Sequence, residues 1–300
     1  MTDRVVENNS ARVSAAPDGT LYYTTSATAA EVVVRALSPM PATNPKTLAT
    51  LASANGYLGE VVVGGSDLFF SQSNVGIIKL TPDGKTSTFV SRPGGVLRGV
   101  AVDAANVYYA DSSGMLFAQP RAGEPSFPIS SVPAGTIVGP VADGTRIFWA
   151  EVAADGKATL KIRGKAKADG PLNRASLSSL RALAFDADYV YLVSADGELR
   201  RVLKDGVSVP ELIGEVPGSR KVPKGIAVDD DSVYLAFTEK ETGGTIPLDV
   251  YQVSKCGGPM RLIADDTVVG GGSTIVGGGL VAVGPHLYWG RQTSIGRMAK

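Results

Sequence analysis

The sequence predicts an all-β chain made of seven copies of one unit, and three observations predict it. A short phrase returns seven times: an aliphatic strand, a tight polar turn, then an aliphatic residue followed by aromatics. The first aromatic of each copy falls at Tyr22, Phe69, Tyr108, Phe148, Tyr191, Tyr234 and Tyr288, at intervals of 39 to 54 residues. Between these anchors the chain carries strand and turn signals only, with 36 Gly and 18 Pro to punctuate it,. A period of about 40–50 residues built of strands and turns is that of a β-propeller. The expectation is therefore one domain over residues 1–300, a seven-bladed β-propeller of four-stranded antiparallel blades.

Taken in order, DRVVE at Asp3–Glu7 reads as a strand with no blade of its own. The copies follow as VSAAPDGTLYYTT from Val13, EVVVGGSDLFFSQ from Glu60 and GVAVDAANVYYAD at Gly99–Asp111. Next come GPVADGTRIFWAE from Gly139, RALAFDADYVYLV at Arg181–Val193, GIAVDDDSVYLAF at Gly225–Phe237 and GLVAVGPHLYWGR from Gly279. The third copy shows how one period makes four strands. Val100–Val102 is followed by a turn at Asp103–Asn106, then Val107–Ala110, a second turn, Met115–Gln119 and an outer strand at Ser126–Ser131. The last copy has strands at Leu280–Val283, Leu287–Gly290 and Ile295–Ala299, but no outer one. The N-terminal strand is expected to fill that place and close the last blade, which removes an open edge.

Residue sizes suit a wedge-shaped blade. The middle of strand one carries a small side chain in every copy: Ala15, Val62, Ala101, Val141, Ala184, Ala227 and Ala282 or Val281. Strand two carries the large ones, such as Tyr108-Tyr109, Phe148-Trp149 and Tyr288-Trp289, each able to bury about 150–250 Å² in the core. Asp103, Asp143, Asp186 and Asp229 stand five residues before their anchors and read as turn openers accepting backbone N–H groups,.

A candidate site follows from the same alignment. Ten residues before the anchors stand Arg12, Gly59, Arg98, Val138, Arg181 and Lys224, with Gly278 or Gly279 in the shifted seventh copy. Four basic residues at an equivalent position place positive charge at the blade end where strand one begins and strand two ends. In a propeller this is a channel mouth, and converging cations there focus potential on an anion. Glu60, Asp111 and Glu151 share that end. Local pairing, such as Arg98 with Asp111, is the competing reading. Thr238–Leu248 reads as a lengthened hairpin on the same face, a contact element on a rigid scaffold. Gly270–Gly279 reads as the approach to the last blade. Lys161-Ile-Arg163-Gly-Lys165-Ala-Lys167 reads as an outer strand guarded by charge.

Composition excludes several classes. Lys+Arg 29 balances Asp+Glu 29, which argues against nucleic acid as a partner,. No run approaches the length of a membrane-spanning helix. One histidine, His286, and one cysteine, Cys256, leave no multi-histidine zinc site and no internal disulfide framework,. The start MTDRVVENNS has no apolar signal core; an exported or cell-surface protein is expected only if the chain is a trimmed form,.

The phrase G-[VI]-A-V-D-x-x-x-V-Y-[YL] resembles the NHL and YWTD-type repeats of bacterial β-propeller proteins over nearly the whole chain. That resemblance implies the architecture and spans scaffolds, receptors and enzymes. Gluconolactonase-like members hold calcium at the mouth with Glu, Asn and Asp, whereas the matching positions here offer Glu60 alone among basic residues. Virginiamycin-lyase-like members depend on a histidine near a metal, and His286 is placed on the opposite face. The amidating-lyase type needs several histidines. The expected function is a non-catalytic, monomeric binding propeller without cofactor or metal, whose mouth takes an anionic small molecule, an acidic glycan or a protein loop. The alternatives are a propeller-type hydrolase or lyase at the same mouth, and a structural scaffold.

Overall fold

A computed structural model describes residues 3–6, 12–28, 31–38, 45–52, 58–72, 74–93, 95–164, 172–204, 209–217, 221–239, 244–270, 279–290 and 294–300. The strands form seven four-stranded antiparallel sheets, the fold of a seven-bladed β-propeller. The first sheet is β2 (Arg12–Ala15), β3 (Leu21–Thr28), β4 (Glu31–Leu37) and β5 (Lys46–Ala52). The second is β6 (Leu58–Gly64), β7 (Asp67–Gln72), β8 (Gly76–Leu80) and β9 (Thr86–Ser91). The third is β10 (Leu97–Val102), β11 (Asn106–Asp111), β12 (Met115–Pro120) and β13 (Phe127–Ser131), within one residue of the strands expected except that β10 begins three residues earlier.

The fourth sheet is β14 (Thr136–Ala142), β15 (Arg146–Val152), β16 (Lys157–Gly164) and β17 (Leu172–Ser178). The fifth is β18 (Leu180–Phe185), β19 (Tyr189–Ser194), β20 (Glu198–Leu203) and β21 (Glu211–Glu215). The sixth is β22 (Lys221–Val228), β23 (Ser232–Glu239), β24 (Gly244–Ser254) and β25 (Arg261–Gly270). The seventh runs β26 (Leu280–Val283), β27 (His286–Gly290), β28 (Ser294–Ala299) and then β1 (Asp3–Val6). Asp3 pairs Arg297 and Val6 pairs Ser294, so the N-terminal strand completes the last blade as expected.

The chain divides into two compact units. One comprises Met1–Ala54, Asp196–Leu199 and Leu212–Lys300; the other comprises Asn55–Ala195 and Arg200–Glu211. In the first unit the aromatics of β27 supply both cores. Trp289 packs with Tyr234, Leu248 and Val250, while Tyr288 packs with Val13, Leu21 and Tyr23. In the second, Phe69 and Tyr109 share one core, Tyr108 and Trp149 the next, and Phe148 packs with Leu183 and Leu192. Consecutive aromatics on strand two point to opposite sheet faces, so each pair fills both neighbouring inter-sheet spaces.

Neighbouring first strands approach so closely that glycine is required. A Cβ on Gly99 would lie 2.0 Å from the carbonyl oxygen of Gly139, and one on Gly279 would lie 2.4 Å from that of Val13.

Two sequence expectations are corrected. Thr238–Leu248 is not a plain connecting hairpin: β24 already begins at Gly244, and Thr245 and Ile246 pair Val269 and Val268 of β25. Residues 240–243 lie outside the described residues. The Lys161–Lys167 run is not an outer strand either. Lys161 and Arg163 lie in β16, which is flanked by β15 and β17, and residues 165–167 lie outside the described residues. Most of the glycine-rich stretch, 271–278, also lies outside them.

Candidate functional site

Each sheet has two chemically distinct ends. At one lie the start of strand one and the end of strand two; at the other lie the turn that joins them and the end of strand three.

The predicted basic position coincides with an interruption of the first ladder. In β10 the register shifts between Leu97 and Gly99, in β18 between Leu180 and Ala182, and in β22 between Pro223 and Gly225. Arg98, Arg181 and Lys224 are thus the extra residues of β-bulges. The second and fourth sheets bulge at the same place, over Gly59-Glu60 and Gly139-Pro140. A bulge bends the strand and re-aims the side chain on it. Arg12 differs, being a regular ladder partner of Thr24. The side chains of Arg12 and Glu60 lie outside the described residues.

Arg98 and Arg181 are exposed, and among the described residues neither has an ion-pair partner. Lys224 is half-buried. The pairing of Arg98 with Asp111 does not form. Asp111 instead holds its own turn, its Oδ1 accepting from Ser113 N at 2.9 Å, Ser113 Oγ at 2.6 Å and Met115 N at 3.1 Å.

Glu151 is likewise committed. Its carboxylate accepts from the buried Trp149 indole Nε1 at 3.2 Å, from Ser130 Oγ, and pairs with Lys161 Nζ at 3.2 Å. The structure therefore assigns Asp111 and Glu151 local partners while leaving the two arginines without one.

Polar side chains that sequence reading passed over share this end. Ser71, Gln72 and Ser194 are buried at the ends of their second strands in one unit; in the other Thr238 is buried near the end of β23, and Thr24 and Thr25 midway along β3, where Thr24 pairs the start of strand one. Their signal in the sequence is the switch from aromatic to hydroxyl or amide two to four residues after Tyr22, Phe69, Tyr191 and Tyr234.

The opposite end carries a repeated clasp. Asp103 Oδ1 accepts from the N–H groups of Ala105 and Asn106, while its Oδ2 accepts from the Tyr108 hydroxyl at 2.8 Å. Asp186 does the same with Asp188, Tyr189 and Tyr191, and Asp229 with Asp231, Ser232 and Tyr234. These carboxylates are turn residues, as their sequence position suggested. Burial, followed by the hydrogen bond to Asp, raises the phenols of Tyr108 and Tyr191, and that of Tyr234 to about 12.

A cation from the following sheet completes several of these turns. Arg121, Lys204 and Lys300 each directly follow strand three of their own sheet. Their backbone N–H groups donate to Ala105, Asp188 and Pro285 in the turns of their own sheets. Their side chains cross to the preceding sheet, reaching Asp67 at 3.1 Å, Asp143 at 2.8 Å and Asp229 at 2.6 Å. The fourth sheet has Phe148 where the third, fifth and sixth have a hydroxyl-bearing Tyr, and Lys204 Nζ takes the place of the phenol. Burial alone would raise Asp143, but Lys204 and the amides of Thr145 and Arg146 outweigh it and hold the carboxyl at about 2.

No family model matches the chain, and no curated protein does. Solved structures match throughout its length. A chain of the mitotic checkpoint complex is 9% identical, with 99% of this chain and 90% of that one covered at a TM-score of 0.68. The RRP9 WD40 repeats are 12% identical, with 99% and 97% covered at 0.65. YCF48 from Cyanidioschyzon merolae is 14% identical, with 99% and 98% covered at 0.63. At such identities the likeness is one of fold: this chain is similar in architecture to seven-bladed propellers.

Proposed function

We propose that this chain is a single-domain binding propeller, related to the NHL and YWTD-type repeats, which takes an anionic group at the mouth bearing Arg98 and Arg181. The group belongs to a small molecule, an acidic glycan or a loop of a partner protein. One observation carries the reading. Two exposed arginines stand on bulges at equivalent positions with no carboxylate partner among the described residues, whereas Arg121, Lys161, Lys204 and Lys300 each have one. A guanidinium fork with free N–H groups matches a carboxylate, sulfate or phosphate in two-point geometry. Lys224 and Arg12 occupy the corresponding positions of their own sheets. The role in the mitotic checkpoint complex of a propeller-bearing chain suits a fold that works by holding partners,.

The test is the double variant Arg98→Ala/Arg181→Ala, titrated with citrate, a hyaluronate hexasaccharide and a deca-glutamate peptide. At least one of these is expected to bind the parent protein tenfold or more tightly than the variant, with thermal stability retained. Equal binding of all three to both proteins overturns the proposal.

A further inference from the structure

We propose a second binding site, for a small amphipathic carboxylate, at the turn end of the sixth and seventh sheets. An open groove of about 260 Å³ lies between the start of β25 and the end of β28. All its lining residues belong to one compact unit. At about 30 Å³ per water this is the room of about eight or nine waters, which suits a ring or short chain carrying one polar head.

The walls divide by chemistry. Leu262, Ile263 and Met298 make the apolar side, and Leu262 is 49% exposed although it lies within a strand. Such an apolar side chain facing a concavity favours a ligand that removes it from water. Arg261 supplies the polar side. Its Nη2 donates to Gln252 Oε1 at 2.8 Å, and Gln252 Nε2 donates in turn to Ser232 Oγ at 3.0 Å. The guanidinium is therefore positioned through one neutral contact. Among the described residues it has no ion-pair partner, so N–H groups remain for a carboxylate.

The second cation of the groove stands differently: Lys300 pairs with Asp229 at 2.6 Å. That pairing also neutralises the charge of Asp229. An apolar wall beside one uncompensated, pre-positioned guanidinium selects a ligand with an apolar body and a single carboxylate, over a cation or a neutral amide.

The probe is 4-phenylbutyrate, compared with its neutral analogue 4-phenylbutanamide, by calorimetric titration of the whole chain. The acid is expected to bind more tightly than the amide, and Arg261→Gln to weaken the acid at least tenfold while leaving the amide within twofold. Leu262→Ser is expected to weaken both. Arg98→Ala/Arg181→Ala is expected to leave both unchanged, which separates this groove from the mouth. Three outcomes overturn the proposal: no binding of the acid at millimolar concentration, equal binding of acid and amide, or loss of acid binding in the double variant but not in Arg261→Gln.

Discussion

Replacing Lys204 by methionine isolates one inter-sheet clasp. The side chain of Lys204 is 5% exposed and that of Asp143 13% exposed, and their 2.8 Å contact joins the fifth sheet to the turn of the fourth. Methionine keeps the aliphatic stem against Phe185 and removes only the ammonium, which lies 4.5 Å from that ring centre. Asp143 is held at about 2 against an ordinary 3.8. Each pH unit is about 1.4 kcal/mol, so the charged form of Asp143 contributes about 2.5 kcal/mol at most, and solvent screening brings this to about 1–2. The ring contact adds roughly 0.5–1 kcal/mol. Lys204→Met is expected to lower the unfolding free energy by about 2–3 kcal/mol at pH 7, measured by urea denaturation.

The pH dependence carries the sharper test. A carboxyl whose folded value lies below its unfolded one stabilises above the unfolded value, and that stability disappears as pH falls through the folded one. The gap between parent and variant should therefore hold from pH 7 to about 5 and narrow by about 1–2 kcal/mol towards pH 2. In an Asp143→Asn background, Lys204→Met should cost about 1–2 kcal/mol less than in the parent. A gap below about 0.5 kcal/mol at pH 7, or one that stays constant down to pH 2.5, refutes the assignment of stability to this ion pair.

Other expectations follow from the same geometry. Tyr191→Phe removes a hydroxyl donating to Asp186 at 2.8 Å and should cost about 1–2 kcal/mol by the same denaturation assay,. Asp229→Asn should bring the ionisation of Tyr234 down from about 12 towards its ordinary 10, read as the lowest shifted step in an ultraviolet absorbance titration. Gly99→Ala forces a methyl against the Gly139 carbonyl and should cost about 3 kcal/mol or more,. Gly144→Ala, where no atom lies within 4 Å of the new Cβ, should stay within about 0.5 kcal/mol,.

The blades were legible because their signal is redundant. Strand, turn and aromatic pair recur at one spacing, and the turn aspartates accept the backbone N–H groups that their position implies. What was not legible needed two segments far apart in sequence. Nothing local marks Lys204 as the partner of Asp143, since the two meet only when neighbouring sheets pack. The misreadings have the same origin. Lys161 looked like edge protection because its partner Glu151 lies on the neighbouring strand. Thr245 and Ile246 looked like loop because the strand that extends their ladder, ending in Val268 and Val269, comes later in the chain. The bulges were half visible: the basic residue and the following glycine of Arg98-Gly99 and Lys224-Gly225 stand in the sequence, but a register shift belongs to a pair of strands.

The distribution of ion pairs gives the arginine bulges their weight. A protein with equal numbers of acids and bases is able to neutralise every cation locally. At the turn end Arg121, Lys204 and Lys300 are each spent on a carboxylate of the preceding sheet. At the other end Asp111 turns its Oδ1 to its own turn, and Glu151 is held by hydroxyl, indole and lysine donors. Arg98 and Arg181 are thereby left with N–H groups facing water. An exposed guanidinium that no carboxylate among the described residues engages keeps its N–H groups for a ligand, and this separates the bulge arginines from the paired cations of the turn end,.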